Sequence, residues 1–177
     1  MTFYNLKYNI IKKTGDSLFK KIVLWILVIS CMSVIFFFSS QTAKDSRKVS
    51  SGFITAVIKF FDFNDALTAI QINNIKKQCT FIVRKGAHFS LYGLLGLLLY
   101  MLLTEYGLSG VRNSCLAVFI SFLYACTDEL HQNFVIGRSC EVRDIIIDSV
   151  GALTGCMIIA ALRRILRRKQ NELHRKI

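Results

Sequence analysis

The stretch IVLWILVISCMSVIFFF, residues 22–38, carries no charged side chain over 17 positions. About 17–25 predominantly apolar residues are needed for a helix to cross a bilayer, so this run lies at the lower limit. A secretory signal peptide is the alternative. Ser39-Ser40-Gln41 and a charged stretch follow the run, however, without the small-residue pattern of a cleavage site. We therefore predict a retained transmembrane helix.

Three further apolar runs follow, at residues 88–103, 114–130 and 144–162. Each contains ionisable residues, which leaves a re-entrant segment open as the alternative for one of them. The chain of 177 residues is 53% hydrophobic, with a mean hydropathy of +0.46, and has the length of a single domain. We predict about four transmembrane helices in a single membrane domain, residues 1–177.

The segment between the first two runs, residues 39–87, is too long for a plain loop. Two sets of apolar residues recur in it at helical spacing: Phe53, Val57, Phe60 and Phe61, and then Leu67, Ile70, Ile75, Cys79 and Ile82. Asp62 to Asp65 separates them. These sets predict two amphipathic helices that lie on the membrane surface or cap the bundle. The predicted fold class is all-α, a polytopic membrane helical bundle with amphipathic helices between the first and second spans.

Lysine and arginine flank the apolar runs unequally. Thirteen of the 23 lie in the terminal tails, residues 1–21 and 163–177, and in the short loop that holds Arg112. Basic flanks tend to remain in the cytoplasm, and an even number of spans places both tails on one side. We predict a multi-pass protein of the cell membrane with both termini cytoplasmic and residues 39–87 outside.

The six cysteines are Cys31, Cys79, Cys115, Cys126, Cys140 and Cys156. None is paired as CxxC, and four lie in or next to apolar runs, where cysteine behaves as a small hydrophobic residue. The sequence thus indicates neither a zinc site nor a disulfide framework. A pair of Cys79 with Cys140 remains an alternative, because both are predicted on the same side.

Polar residues of the apolar half of the chain gather at four helix ends. Chain order places the end of helix one, the start of helix two, the end of helix three and the start of helix four on the same side. These ends and the hairpin between helices three and four hold Ser39, Ser40, Gln41, Lys85, His88, Asp128, Glu129, His131, Gln132, Arg138, Arg143, Asp144 and Asp148.

Within each of helices two to four, polar and small residues align in one stripe at 100° per residue. The stripes are Lys85, His88, Tyr92 and Gly96; Ser121, Tyr124, Asp128 and Gln132; and Asp144, Asp148, Gly151 and Gly155. Gly151 and Gly155 form a GxxxG pair, which lets another helix approach closely. Because a charge facing lipid costs at least about 3 kcal/mol, we predict that the stripes surround a shared polar cavity.

Several of these residues also have a purely structural interpretation. Lys85 at a helix end can reach lipid headgroups, His88 can be a packed core residue, and Asp144 can cap the fourth helix. Asp144 and Asp148 are one helical turn apart and repel each other when both are ionised. A proton, a cation or a neighbouring basic side chain must therefore intervene.

Three stretches carry a family resemblance: Phe38-Ser39-Ser40-Gln41; Arg84-Lys85-Gly86-Ala87-His88-Phe89 with Tyr92-Gly93; and Thr127-Asp128-Glu129-Leu130-His131-Gln132 through Gly137-Arg138 to Asp144 and Gly151. At these spacings they resemble the VanZ-like family, bacterial membrane proteins named after a determinant of teicoplanin resistance. The resemblance covers about residues 38–155. The combination of motifs is specific, whereas no single one of them is.

Two positions depart from the family pattern. Ile136 precedes Gly137-Arg138 where the family often has Pro, and Asp148 stands where it often has Asn. The second departure can add a negative charge to the predicted cavity. The resemblance implies a role in the bacterial cell envelope, in glycopeptide (teicoplanin-type) tolerance or lipid handling, but no defined reaction.

Two classes of function fit the predicted cavity. In the first, it binds an amphiphile from the outer leaflet: a membrane lipid, a lipid-linked envelope intermediate or a lipoglycopeptide. Lysine and arginine would hold its phosphate or carboxylate groups. The candidate binding residues are Gln41, Lys85, His88, Tyr92, Glu129, Gln132, Arg138, Arg143, Asp144 and Asp148.

In the second class, the protein is a membrane-embedded enzyme that acts on a lipid-linked envelope substrate by acid/base chemistry. The catalytic candidates are His88, Asp128, Glu129 and Asp144. Ser39 or Ser40 would be a nucleophile only if His88 reached it. Because the sequence has no P-loop, G-x-S-x-G or HExxH motif, we favour binding over catalysis. A channel ranks lowest, because the polar residues stop partway along the helices.

A metal site of His88, Glu129, Asp144 and Asp148 ranks low because no metal-ligand spacing repeats, so we predict neither a metal nor a cofactor. The net charge of +12 fits anionic lipid headgroups. Nucleic acid is excluded as a partner, since soluble nucleic-acid binders do not carry several runs of near-spanning length. No feature specifies an oligomeric state.

Overall fold

The computed structural model describes residues 3–61 and 68–175, with side chains described for residues 17–61 and 68–173. The elements in these ranges are all α-helices. In chain order they are α1 (Phe3–Ser39), α2 (Ala43–Phe61), α3 (Ala69–Glu105), α4 (Gly110–Gln132) and α5 (Val142–Arg175).

Four of the described helices are long and apolar enough to cross a membrane, over Ser17–Ser39, Ala69–Glu105, Gly110–Gln132 and Val142–Leu173. The predicted all-α fold with four transmembrane helices is confirmed. Large apolar side chains such as Trp25, Phe37 and Phe119 are exposed on the outside of the bundle, as expected where lipid replaces water. α1 has 37 residues and is about 55 Å long, so it extends well beyond a hydrocarbon core of about 30 Å.

The closest helix pair is α3 with α5, and glycine makes it possible. A Cβ atom at Gly155 would overlap the backbone carbonyl of Gly93, and one at Gly151 would overlap that of Phe89. Gly96 in turn leaves no room for a Cβ against the backbone of Ala152. The GxxxG prediction is therefore confirmed, with α3 as the partner helix. The contact fixes the register of the polar stripes on α3 and α5.

The apolar core lies between α1, α3, α4 and α5, below the polar end of the bundle, which is the end that holds Ser39, Lys85, Asp128 and Asp144. Its fully or nearly fully buried members include Val28, Ile35, Tyr92, Leu95, Ala117 and Ala125. One polar contact ties α1 to α4 at this depth, where the Tyr124 hydroxyl donates to the Met32 carbonyl at 2.7 Å. α3 contacts all four other helices and is the centre of the bundle.

The segment between the first two spans differs in part from the prediction. Its first apolar set forms α2, which buries Ala43 and Ile54 against the bundle. Its second set belongs to α3, which runs unbroken from a capping box at Thr68 and Gln71 to Glu105. No proline separates the amphipathic part from the span, and Gly86 alone does not end a helix. Leu67 and the predicted break at Asp62 to Asp65 lie outside the described residues.

The predicted basic tails are helical where the structure describes them. Residues 3–21 continue α1, and residues 163–175 continue α5. The six cysteines are all free, so the alternative disulfide between Cys79 and Cys140 does not form. Cys31 and Cys156 are buried in the apolar core, as expected of cysteine used as a small hydrophobic residue.

Candidate functional site

Ser39, Asp128 and Gln132 form a buried polar cluster where the ends of α1 and α4 meet. The Ser39 hydroxyl donates to Asp128 Oδ2 at 2.7 Å. The Gln132 amide donates to the same oxygen at 3.1 Å. All three side chains are buried. Because a buried carboxylate is costly without donors, these contacts hold Asp128 toward the interior of the bundle.

Arg138 connects the hairpin between α4 and α5 to this cluster. Its Nη1 donates to Gln132 Oε1 at 2.8 Å, and its Nη2 donates to the Phe38 carbonyl at 3.1 Å. Its Nε is buried and has no hydrogen-bond partner among the described residues. Burial, and secondarily the neighbouring Arg84, lowers the pKa of Arg138, but a guanidinium keeps its charge at neutral pH.

Lys85 and Asp144 form an ion pair between α3 and α5, 59 positions apart in the chain. Both side chains are largely buried, with 11% and 15% of their surface exposed. The ring of Phe81 lies beside the pair, with its centroid 5.5 Å from Lys85 Nζ and 5.3 Å from the guanidinium carbon of Arg143. Cation–π attraction at such distances holds both basic groups near the ring.

The α4–α5 hairpin closes the polar end of the bundle. Gly137 has a φ of +75°, a backbone conformation that favours glycine. The Ile136 carbonyl accepts a hydrogen bond of 3.3 Å from the Ala43 amide, which joins the hairpin to the start of α2. The Glu141 amide donates to Glu129 Oε2 at 2.9 Å. The chain thus folds over the site from two sides.

Arg143 lies at the surface and does not enter the site. It donates to Glu141 Oε2 at 2.9 Å, and both side chains are substantially exposed. This hydrogen bond, with the positive charge of Lys85, lowers the pKa of Glu141. Glu141 is therefore ionised at neutral pH.

Below Lys85, three buried carboxylates have oxygens without donors. Within the described part of the chain, no hydrogen bond reaches either oxygen of Asp148, Oδ1 of Asp128 or Oε1 of Glu129. These side chains are at most 3% exposed. One ligand atom each from His88, Asp128 and Asp148 lies within 4.8 Å of the other two. The hydroxyl of Tyr92, one turn after His88, is likewise buried without a partner among the described residues.

A polar cavity of about 200 Å³ opens above these groups. It is bounded by α2, α3, the end of α4, the hairpin and the start of α5. The charged and titratable residues that line it are Arg47, Arg84, Lys85, His88, Arg138, Glu141 and Asp144. Four cationic side chains therefore face two carboxylates, one of which is already paired with Lys85.

An apolar groove of about 480 Å³ adjoins the polar cavity. Its walls are the C-terminal end of α1, helix α2 and the middle of α3. Its lining includes Phe38, Val49, Phe53, Val83, Ala87 and Leu91. Arg84 and His88 line both the groove and the polar cavity, so the two spaces share a wall.

The structure brings most of the predicted binding residues to this end of the bundle, where some line the polar cavity and others are buried. Lys85, His88, Gln132, Arg138 and Asp144 line the polar cavity. Tyr92, Asp128, Glu129 and Asp148 are buried. Gln41 lines the apolar groove instead, and Arg143 lines neither space.

Arg47 and Arg84 line the polar cavity, although neither is among the residues predicted from the sequence. Arg84 precedes Lys85 and points about 100° away from it around the helix, so it does not belong to the α3 stripe. Arg47 reaches the cavity only because α2 folds back onto α3. The sequence signal for Arg84 was its place next to Lys85 of the α3 stripe, and Arg47 had none, because none of the predicted polar stripes lies on α2. Neither arginine could be told from an ordinary basic residue of the surface.

The serine–histidine contacts do not match the nucleophile considered from the sequence. Ser39 donates to Asp128, and Ser40 Oγ lies 3.2 Å from His131 Nε2. Within the described residues, neither serine hydrogen-bonds to His88. The His131 ring stacks on Phe36 with centroids 4.6 Å apart, at the exposed edge of the bundle. The geometry therefore gives no activated serine at His88.

Comparison with known proteins identifies the family. The family model described as VanZ/LLP1 matches residues 24–164, most of the chain. No curated protein and no solved structure matches significantly. The matched range includes the second and third spans completely, the first and fourth in part, and every residue of the polar end described above. The chain is a multi-pass membrane protein and belongs to the VanZ/LLP1 family.

Proposed function

We propose that this protein binds an amphiphile with an anionic headgroup at the polar end of the bundle. One observation supports the proposal above all: a basic polar cavity and an apolar groove share a wall at Arg84 and His88. A headgroup in the first space and an acyl or prenyl chain in the second would be joined across that wall. A water-soluble ligand without a hydrocarbon part would leave the apolar groove unfilled.

The charge of the cavity selects the headgroup. Lys85 is neutralised by Asp144, while Arg47, Arg84 and Arg138 outnumber the remaining carboxylate, Glu141. Guanidinium groups offer several donors in a planar fork that matches phosphate and carboxylate oxygens. A lipid or lipid-linked envelope intermediate whose phosphate headgroup has a net negative charge fits these groups better than a zwitterionic lipid, whose phosphate is balanced by a cation of its own.

The apolar groove matches the hydrocarbon part of such a ligand. At about 480 Å³ it has the size of a small-molecule site and can take only part of a long lipid chain. The groove lies between exposed faces of α2 and α3, which allows the remainder of the chain to lie in the bilayer. Lateral entry from the membrane is therefore the expected route.

We infer that the polar end faces the outside of a bacterial cell, with both termini in the cytoplasm. The basic extensions of α1 and α5 support this orientation. Sequestration of a lipid-linked envelope intermediate, or capture of the lipoglycopeptide itself, at this end would connect the site with teicoplanin-type tolerance. The family resemblance supports that link.

Neutralising Arg84 should weaken binding of an anionic lipid. Arg84→Gln removes one charge-assisted contact, worth about 1.5–3 kcal/mol, so we expect affinity for phosphatidic acid to fall about 10–100-fold. Affinity for phosphatidylcholine should change little. Lipid binding to the purified protein, measured by native mass spectrometry in detergent, tests this expectation. Teicoplanin susceptibility of cells that carry each variant gives the cellular counterpart.

Lys77→Gln is the matched control, since Lys77 is an exposed basic residue two turns earlier on the same helix. It should leave both lipid affinities and the cellular phenotype unchanged. Equal losses for the two variants would mean that the lipid responds to overall charge, and the proposed cavity would be rejected.

Orientation can be tested with single cysteines in a cysteine-free background. Ser139 and Asn171 are both exposed, at opposite ends of the bundle. A cysteine at Ser139 should react with a membrane-impermeant maleimide in intact cells, and one at Asn171 only after lysis. The reverse labelling would place the site in the cytoplasm and would exclude capture from the outer leaflet.

A further inference from the structure

Asp148 is the most unusual side chain in the bundle. It is 1% exposed, and neither of its carboxylate oxygens has a hydrogen-bond partner in the described part of the chain. Leaving a carboxylate buried without donors costs several kcal/mol. Such a group therefore binds a proton or a cation.

Two further donors point to a cation. His88 on α3, Asp128 on α4 and Asp148 on α5 each offer one ligand atom within 4.8 Å of the other two. Nitrogen and oxygen ligands lie about 2.0–2.2 Å from Zn²⁺, which places neighbouring donors roughly 3–4 Å apart. The three side chains need only small movements to reach that geometry.

The surroundings of Asp128 fit the role of a ligand. Ser39 and Gln132 both donate to its Oδ2 and hold the carboxylate in place. Its Oδ1 has no partner among the described residues and is the oxygen left for an ion. Hydrogen bonds that orient a ligand in this way are a regular feature of metal sites.

The balance of charge favours a divalent ion. The buried charged groups of the polar end include three carboxylates, of Asp128, Glu129 and Asp148, and one basic group, of Lys85. When all are ionised, the formal charge is −2. One divalent cation would neutralise it, whereas protons would have to bind to two separate carboxylates.

We propose that His88, Asp128 and Asp148 bind a divalent transition-metal ion such as Zn²⁺ or Mn²⁺. An imidazole nitrogen among the ligands favours these ions over Mg²⁺ and Ca²⁺. Three protein ligands leave at least one coordination position open. His88 also lines the polar cavity, which gives the ion a route to solvent. The proposal goes beyond lipid binding and does not require it.

Metal binding to the purified protein tests the proposal directly. After treatment with a chelator and its removal, the protein should take up about one Zn²⁺ or Mn²⁺ per chain, measured by elemental analysis after gel filtration. Asp148→Asn and Asp128→Asn should each weaken metal binding by more than about 100-fold. Loss of a residue that only hydrogen-bonds to a metal ligand typically costs about 10–100-fold. Mg²⁺ should bind far more weakly.

Glu141→Gln is the control, because it removes a carboxylate from the cavity wall without touching the three ligands. It should bind metal like the unmodified protein. Zinc should raise the melting temperature of both, by mass action, but not that of Asp148→Asn. Should Asp148→Asn instead melt higher than the unmodified protein while the latter takes up no metal, Asp148 binds a proton and the proposal is wrong. Loss of lipid binding with metal uptake intact would reject only the lipid site.

Discussion

Gly155→Ala should destabilise the protein by about 3 kcal/mol, although it adds a single methyl group. The new Cβ would overlap the backbone carbonyl of Gly93, which cannot turn aside as a side chain can. Overpacking of a tight interface usually costs about 1–3 kcal/mol, and a backbone neighbour places this site at the upper end. The free energy of unfolding in mixed detergent micelles measures the loss.

Gly52→Ala provides the control for this substitution. Gly52 lies in α2, and a Cβ atom there would meet nothing within 4 Å. Removing a helical glycine should then stabilise the protein by roughly 0.5–1 kcal/mol. If both alanine variants were equally stable, α3 and α5 would not approach as closely as the structure describes.

Lys85→Met should cost about 3–5 kcal/mol, because it leaves the largely buried Asp144 without its partner. Asp144 Oδ1 already has no donor among the described residues. Asp144→Asn should cost less, since the flexible lysine can extend toward headgroups or water. Unfolding in mixed micelles gives the free energy for each variant.

The double variant Lys85→Met/Asp144→Asn should recover most of the lost stability, because it leaves no unpaired charge. Arg143→Gln is the control for an ion pair at the surface, since Arg143 and Glu141 are substantially exposed. It should cost less than about 1 kcal/mol. A similar cost for Lys85→Met would mean that the buried pair is accessible to water and contributes little.

Much of the fold could be predicted because each helix that crosses a lipid bilayer requires a long apolar run of sequence. Four apolar runs predicted four spans, and Gly151 and Gly155 predicted a close helix contact. The continuity of α3 could not be predicted, because a change from amphipathic to fully apolar sequence resembles two helices joined by a turn. Only the absence of a strong helix breaker before His88 indicated otherwise.

The sequence predicted which helix ends form the candidate site, but it did not predict which side chains contact each other there. Helical periodicity placed Lys85 and Asp144 on stripes that face each other. It could not show that Asp128 would receive two donors and Asp148 none, since that depends on side chains from separate helices. The contribution of Arg47 depends on how α2 folds back, which no local pattern specifies.

During synthesis, Lys85 leaves the ribosome 59 residues before its partner Asp144. At a synthesis rate of about 5–20 residues per second, the ammonium group of Lys85 has no partner for roughly 3–12 s. Lys85 lies just before the apolar run of α3, so its side chain can reach the headgroup layer during this time. Asp128 and Glu129 likewise lie near the end of the apolar run of their helix, α4. Each helix can therefore insert separately at modest cost, and the site assembles only when α5 enters the membrane.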